Sequence, residues 1–160
     1  MKARQVPRKK QIMLTKRKME MDLGNRLEFD SKEFYEEVDS LISYLGQEVK
    51  DEDRVFLNFC ISGEVEKALN KTNRESIPLG LREYLKRSIV FKFYETKEKM
   101  EALKDFDYEE ANSKIRTITE GDVSYSFGEV LDPKERFMNS LETLLSESES
   151  DYLCYRKLKW

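Results

Sequence analysis

Apolar residues recur every three or four positions along this chain, in blocks separated by polar or helix-breaking residues. That period restricts it to helices packed side by side. Phe34, Val38, Leu41, Ile42, Leu45 and Val49 form the first stripe, one face of a helix. Asp30 stands ahead of it with Glu33 three residues later, a spacing in which the two side chains satisfy free amides of the first turn. A second helix is predicted to begin in Asp51-Glu52-Asp53, where acids suit the positive end of the helix dipole. Its apolar residues, from Val55, Phe56, Leu57 and Phe59 through Cys60, Ile61, Val65 and Leu69, lie on more than one side, which places it centrally. Asn70–Ser76 reads as a polar loop.

Ile77-Pro78 restarts the chain, since Pro is tolerated in a first helical turn. The third helix is expected from about Leu79 to Lys104, with Leu81, Leu85, Ile89, Phe93, Thr96, Met100 and Leu103 as its stripe. Tyr84, Val90, Phe91 and Tyr94 widen that stripe. Such a helix spans roughly 35–40 Å, and its second half, ETKEKMEALKD, has a narrower apolar face that projects from the core. Asp132-Pro133-Lys134-Glu135 repeats the start signal with Pro in the first turn, opening a fourth helix that carries Phe137, Leu141, Leu144 and Leu145. With six Gly and three Pro in 160 residues, little in the composition opposes helix.

One stretch departs from the helical pattern: Lys114–Glu129, KIRTITEGDVSYSFGE. Gly121-Asp122 suits a two-residue turn of type II′. With that turn, Ile118, Val123, Tyr125 and Phe127 share one face of a ribbon, and Thr117, Thr119, Ser124 and Ser126 the other. A two-stranded ribbon is marginal alone, so its apolar face rests either on its own helices or on a neighbouring subunit. The expected fold class is therefore mainly α: a small bundle of about four helices, with one β-hairpin between the long third helix and the last.

Charge divides the chain further. Residues 1–26 hold nine Lys/Arg against two acids, a balance of +7, which leaves −10 for residues 27–160 of a chain with net charge −3. Residues 1–27 are read as a basic arm, 28–148 as the helical domain with hairpin 114–129, and 149–160 as an aromatic and basic tail. Lys2, Arg4, Arg8, Lys9, Lys10, Lys16, Arg17 and Lys18 of the arm suit three roles: a solvated tail, insertion into an acidic partner, or contact with DNA phosphates. Tyr152, Tyr155 and Trp160 are candidate docking residues, since aromatics dominate interface hot spots, and they can equally pack back on the bundle.

The chain contains no histidine, which removes His-based acid–base, nucleophile and zinc chemistry. Cys60 lies in an apolar helical run and reads as core; with Cys154 it makes neither a CxxC motif nor a zinc site, and nothing favours a disulfide between them. Glu36-Glu37 and Glu109-Glu110 are expected to face solvent. Gly121 lacks the cationic, Gly-rich setting of a phosphate loop. No catalytic, cofactor-binding or metal-binding residue is expected. No apolar run reaches the length of a membrane span, and QIMLTKRKMEM is too short and charged for a signal-peptide core, so a cytosolic site of synthesis is expected.

Short helices, a long Tyr/Phe-rich helix, ITEGDVSYSF and a Pro-started helix together resemble the tailed-phage head–tail connector proteins, also called head-completion or adaptor proteins. Several of these carry a segment of the type S-I-x-x-G-D-x-S-x-S-F after their long helix. Ile118, Gly121, Asp122, Ser124, Ser126 and Phe127 match it, while Thr117 stands where that pattern has Ser. The resemblance covers roughly residues 28–145 and leaves the arm and tail outside. It implies a structural subunit, made in the host cytoplasm and placed in the virion neck. That subunit forms a homo-oligomeric ring beneath the portal protein, extends the DNA channel without reading sequence, and offers a platform to tail or stopper proteins. It implies no catalysis, no cofactor and no membrane. The hairpin residues Ile118, Gly121, Asp122, Val123, Tyr125 and Phe127 would then serve as a subunit interface. A small helical adaptor that binds nucleic acid through the basic arm is the alternative.

Overall fold

In a computed structural model, residues 24–119, 132–146 and 151–158 are described. They form α1 (Ser31–Tyr44), α2 (Asp51–Thr72), a 3-10 turn (Leu79–Leu81) running into α3 (Arg82–Lys99), α4 (Tyr108–Thr119), α5 (Pro133–Ser146) and the short α6 (Asp151–Tyr155). The mainly helical expectation is met. Among the described residues there is no β-strand, only an isolated parallel bridge between Leu27 and Ile77.

The start signals read from the sequence work as expected at two helices. The Asp30 carboxylate accepts the Glu33 amide at 2.7 Å and caps α1. Asp132 precedes α5, whose first residue is Pro133, and its carbonyl accepts the Arg136 amide at 2.9 Å. The α1 stripe is buried at Phe34, Val38, Ile42 and Leu45.

Three helices end in one way. After α1 the amides of Gly46 and Gln47 donate back to the carbonyls of Ser43 and Ile42; after α2 those of Asn73 and Arg74 donate to Asn70 and Leu69. After α3 the amides of Glu101 and Ala102 donate to Glu98 and Lys97. The pivot residue is left-handed each time, with φ of 103° at Gly46, 52° at Asn73 and 54° at Glu101. Gly and Asn are the residues that take this conformation at least cost; Glu is not.

The Glu101 stop corrects the expected long third helix. α3 ends at Lys99, Leu103 turns inward to 5% exposure, and the projecting second half does not exist. Asp107 then starts α4, its carboxylate accepting the Glu110 amide at 2.9 Å. This Asp107-x-x-Glu110 spacing is the same cap signature as at Asp30, and the helix it opens runs through Lys114–Thr119. The expected first strand of the hairpin is therefore helical, and Ile118 is an α4 residue. The amphipathic period of Ala111, Asn112 and Ile115, all buried, carries the helix through the β-branched run. Gly121, Asp122, Val123, Tyr125 and Phe127 lie outside the described residues. A smaller correction concerns α2, which continues to Thr72, so that the following loop is shorter than the expected Asn70–Ser76.

The centre of the bundle is α3 and not α2. Tyr84, Leu85, Ser88, Ile89, Val90, Phe93 and Tyr94 are buried around its circumference, and α1, α2 and α5 pack against it. Polar links tie the seams: Tyr35 donates to Asn58 at 2.5 Å between α1 and α2, and Ser88 donates to the Glu64 carboxylate between α3 and α2. Arg82 reaches Glu37 at 2.8 Å, and Lys97 pairs with Asp53.

Replacing Glu101 with Gly tests the α3 stop. A left-handed position relieved of its Cβ gains about 1 kcal/mol, whereas Gly inside a continuous helix to Lys104 loses about as much. Chemical denaturation of E101G is expected to show the gain.

Candidate functional site

Among the described residues, the most exposed apolar side chains on a helix interior sit on α2. Its inward arc buries Leu57, Cys60, Ile61, Val65 and Ala68. Val55 and Phe59, one turn apart on another side, remain 60% and 75% exposed. α3, the α1 residue Tyr35 at Asn58 and the tail helix α6 cover other arcs of α2, and the arc that carries Val55 and Phe59 is left to solvent. Leaving a Phe in water forgoes about 2 kcal/mol of burial. Next to Phe59 along the face are Ser62 and Gly63, both exposed, and a Cβ at Gly63 would meet nothing within 4 Å. The ring thus stands above low ground. Exposed Glu52 and Glu66 bracket it, the latter paired with Arg26.

A concave counterpart lies on other elements. Leu41 of α1, Leu45 just after it, Val90 of α3, Ile115 of α4 and Leu141 of α5 line a groove of about 170 Å³. Lys86, Arg87 and Glu83 form its polar border, with Lys86 held 2.8 Å from Glu83 and 3.4 Å from Glu37. No α2 residue lines it.

The C-terminal tail folds back on the bundle at Tyr152 and Tyr155. The Tyr152 ring is buried edge-on against Tyr84, centroids 4.3 Å apart, with the Lys71 ammonium 4.9 Å from its centre. Arg74 donates to the Tyr155 carbonyl at 2.6 Å, Asn73 to the Lys157 carbonyl at 3.0 Å, and the Lys157 amide to Thr72 at 2.8 Å. The Tyr155 hydroxyl rests where a Cβ on Gly80 would be, 1.8 Å away, so only glycine admits this contact. Trp160 lies outside the described residues, as do Lys2, Arg4, Arg8, Lys9, Lys10, Lys16, Arg17 and Lys18. The end of the basic stretch does belong to the body: Leu27 is buried and Arg26 reaches Glu66.

Among the described residues no group of three or more Cys, Asp or Glu is placed to hold a metal ion, and no helix is long and apolar enough to cross a membrane. The buried Glu64 accepts from Ser88 and from Lys67, the latter at 3.2 Å, and so joins α2 to α3. Cys60 is buried and Cys154 exposed, and both are free thiols. Burial pushes the Cys60 thiol up to about 11. Glu37 faces Arg82 and Lys86, Glu109 pairs with Arg136 at 3.5 Å, and Glu110 pairs with Lys114 at 2.5 Å.

The residues that sequence reasoning missed are Val55 and Phe59, counted there as core. A signal was available: six apolar residues among the seven positions 55–61 exceed what one buried arc of a helix can take. No protein-family model matches the chain, and neither a curated protein nor a solved structure is detectably similar to it.

Two measurements check this surface. At pH 8 a thiol reagent is expected to modify Cys154 quickly, and Cys60 only once denaturant is added; rapid modification of two thiols in the native protein would contradict the buried, protonated Cys60. Gly80→Ala is expected to push Tyr155 aside and remove the hydrogen-exchange protection of the Lys157 amide, with the α3 amides unchanged.

Proposed function

We propose that the chain is a structural head–tail connector or adaptor subunit of a tailed phage, in the virion neck, assembling as a ring beneath the portal protein. The ring extends the DNA channel, passes DNA without reading its sequence, and bridges to tail or stopper proteins. The observation that carries this reading is the segment Ile118–Phe127, which resembles the connector motif, begins in the last turn of α4 and precedes the Pro-started α5 in the sequence. The exposed Val55–Phe59 pair supports it, because an apolar ring on a charged surface suits a subunit contact. In this role the motif residues contribute to subunit contacts, and the basic arm meets portal or DNA. The acidic remainder of the chain repels DNA and keeps it sliding. No chemistry is assigned to the chain.

The charge division favours one other reading, a small adaptor that binds nucleic acid through residues 1–26. It requires duplex binding that weakens steeply with salt and is lost with the arm.

Electron microscopy of the purified protein at micromolar concentration, alone and with its portal, tests the proposal. Closed rings, free or on the portal, are expected. A monomer that ignores the portal would sink the connector reading.

A further inference from the structure

Both ends of the chain are tied to one place, the junction between α2 and α3. There the Ile77 amide donates to the Arg26 carbonyl at 2.7 Å, and the Glu28 amide donates to the Ile77 carbonyl at 2.9 Å. A few residues earlier in the same junction, the Lys157 amide donates to the Thr72 carbonyl at 2.8 Å and the Asn73 side chain to the Lys157 carbonyl at 3.0 Å. Residues 1–23 and 159–160 therefore join the body at one pole. Charge gathers there: residues 1–28, 66–76 and 155–160 hold fifteen Lys/Arg and five Asp/Glu, a balance of +10, which leaves −13 for the rest of the chain. Of those acids, Glu66 is engaged by Arg26 and Glu28 by Ser76. Arg156 and Lys157 are exposed, and neither reaches a carboxylate among the described residues. Arg74 keeps its charge as well, because its acceptor, the Tyr155 carbonyl at 2.6 Å, is neutral. The tail turns its rings inward, Tyr152 onto Tyr84 and Tyr155 onto Gly80, so the pole presents cations and not the aromatic anchors of a protein interface. Leu79 and Leu158 are exposed as single side chains, which is ordinary for a surface.

We infer that this pole binds the phosphate backbone of duplex nucleic acid, with Arg156 and Lys157 on the folded body extending the phosphate contact of the basic arm. A duplex carries one negative charge per about 1.7 Å of its axis, and each phosphate that a cation neutralises releases condensed counterions. Contacts of this kind position a protein on the duplex and read no sequence. The remainder of the chain, at −13, is repelled by the same duplex, which restricts the approach to this one side. The inference rests on the arm acting as a phosphate contact. It adds to that site two residues from the opposite end of the sequence, brought there only by the docking of the tail on Thr72 and Asn73.

Salt dependence of duplex binding decides it, measured by anisotropy of a short fluorescent duplex of arbitrary sequence over roughly 50–200 mM salt. The slope of log affinity against log salt falls by about 0.9 for each phosphate contact removed, hence by about 2 in the double variant R156Q/K157Q. Lys50→Gln removes an exposed cation at the far end of α2, about 30 Å away, and is expected to leave the slope unchanged. Hydrogen-exchange protection of the Lys157 amide reports whether the tail stays docked; if the double variant loses it, Arg156→Gln alone is expected to lower the slope by about 1. An unchanged slope in R156Q/K157Q, with binding lost on deleting residues 1–23, would overturn the two-ended pole and leave the arm's own contact standing. No duplex binding by the wild type at the lowest salt would overturn both. An equal fall in K50Q would reduce the effect to net charge and overturn the site. Polyglutamate bound as tightly as the duplex at equal salt would overturn the nucleic-acid assignment in favour of an acidic protein.

Discussion

Tyr94 holds the architecture together. Its ring is fully buried at the end of α3, against Phe93 at 5.7 Å, Phe106 at 5.4 Å and Phe137 at 5.1 Å between centroids. These are tilted or edge-on contacts, each adding about 1 kcal/mol beyond area burial. Burial also pushes the Tyr94 hydroxyl well above the usual phenol range, so it stays a donor. It donates to the Ile42 carbonyl at 3.0 Å, in the last turn of α1, which the Gln47 amide also reaches. One side chain thus joins α1, α3, the Phe106 turn and α5.

The stop at Glu101 gains its meaning from that cluster. A continuous helix to Lys104 would carry Leu103 and Phe106 outward from the core. Reversal at Glu101 returns Leu103 to the interior and sets Phe106 against Tyr94, Tyr108 and Phe137. The strain of a left-handed Glu, about 1–2 kcal/mol, is outweighed by burying Leu103 and part of the Phe106 ring, together about 3 kcal/mol. Local preference loses to packing there. The same competition explains the helical Thr117-Ile118-Thr119: residues with β preference complete a helix whose inner face, through Ala111 and Ile115, is already committed to the core.

The surface follows from how much the centre can cover. With α3 buried around its circumference, its neighbours each bury one arc and leave the other to solvent. On α1 the outer arc is polar and charged, as a solvated arc should be; on α2 it holds Val55 and Phe59. The tail covers a different part, tying Tyr152 and Tyr155 across α2, α3 and Gly80.

What the sequence determined by itself was local: the helical class, the caps at Asp30 and Pro133, and the apolar faces that bury Cys60 and Phe137. Asp107 carries the same cap signal as Asp30, but an apolar period that continues to Leu103 masks it. Tertiary structure alone decided which helix lies at the centre, where α3 stops, and that Phe59 faces outward. Each of these depends on which apolar arc finds a partner, and a helix's own sequence specifies its arcs but not what will cover them.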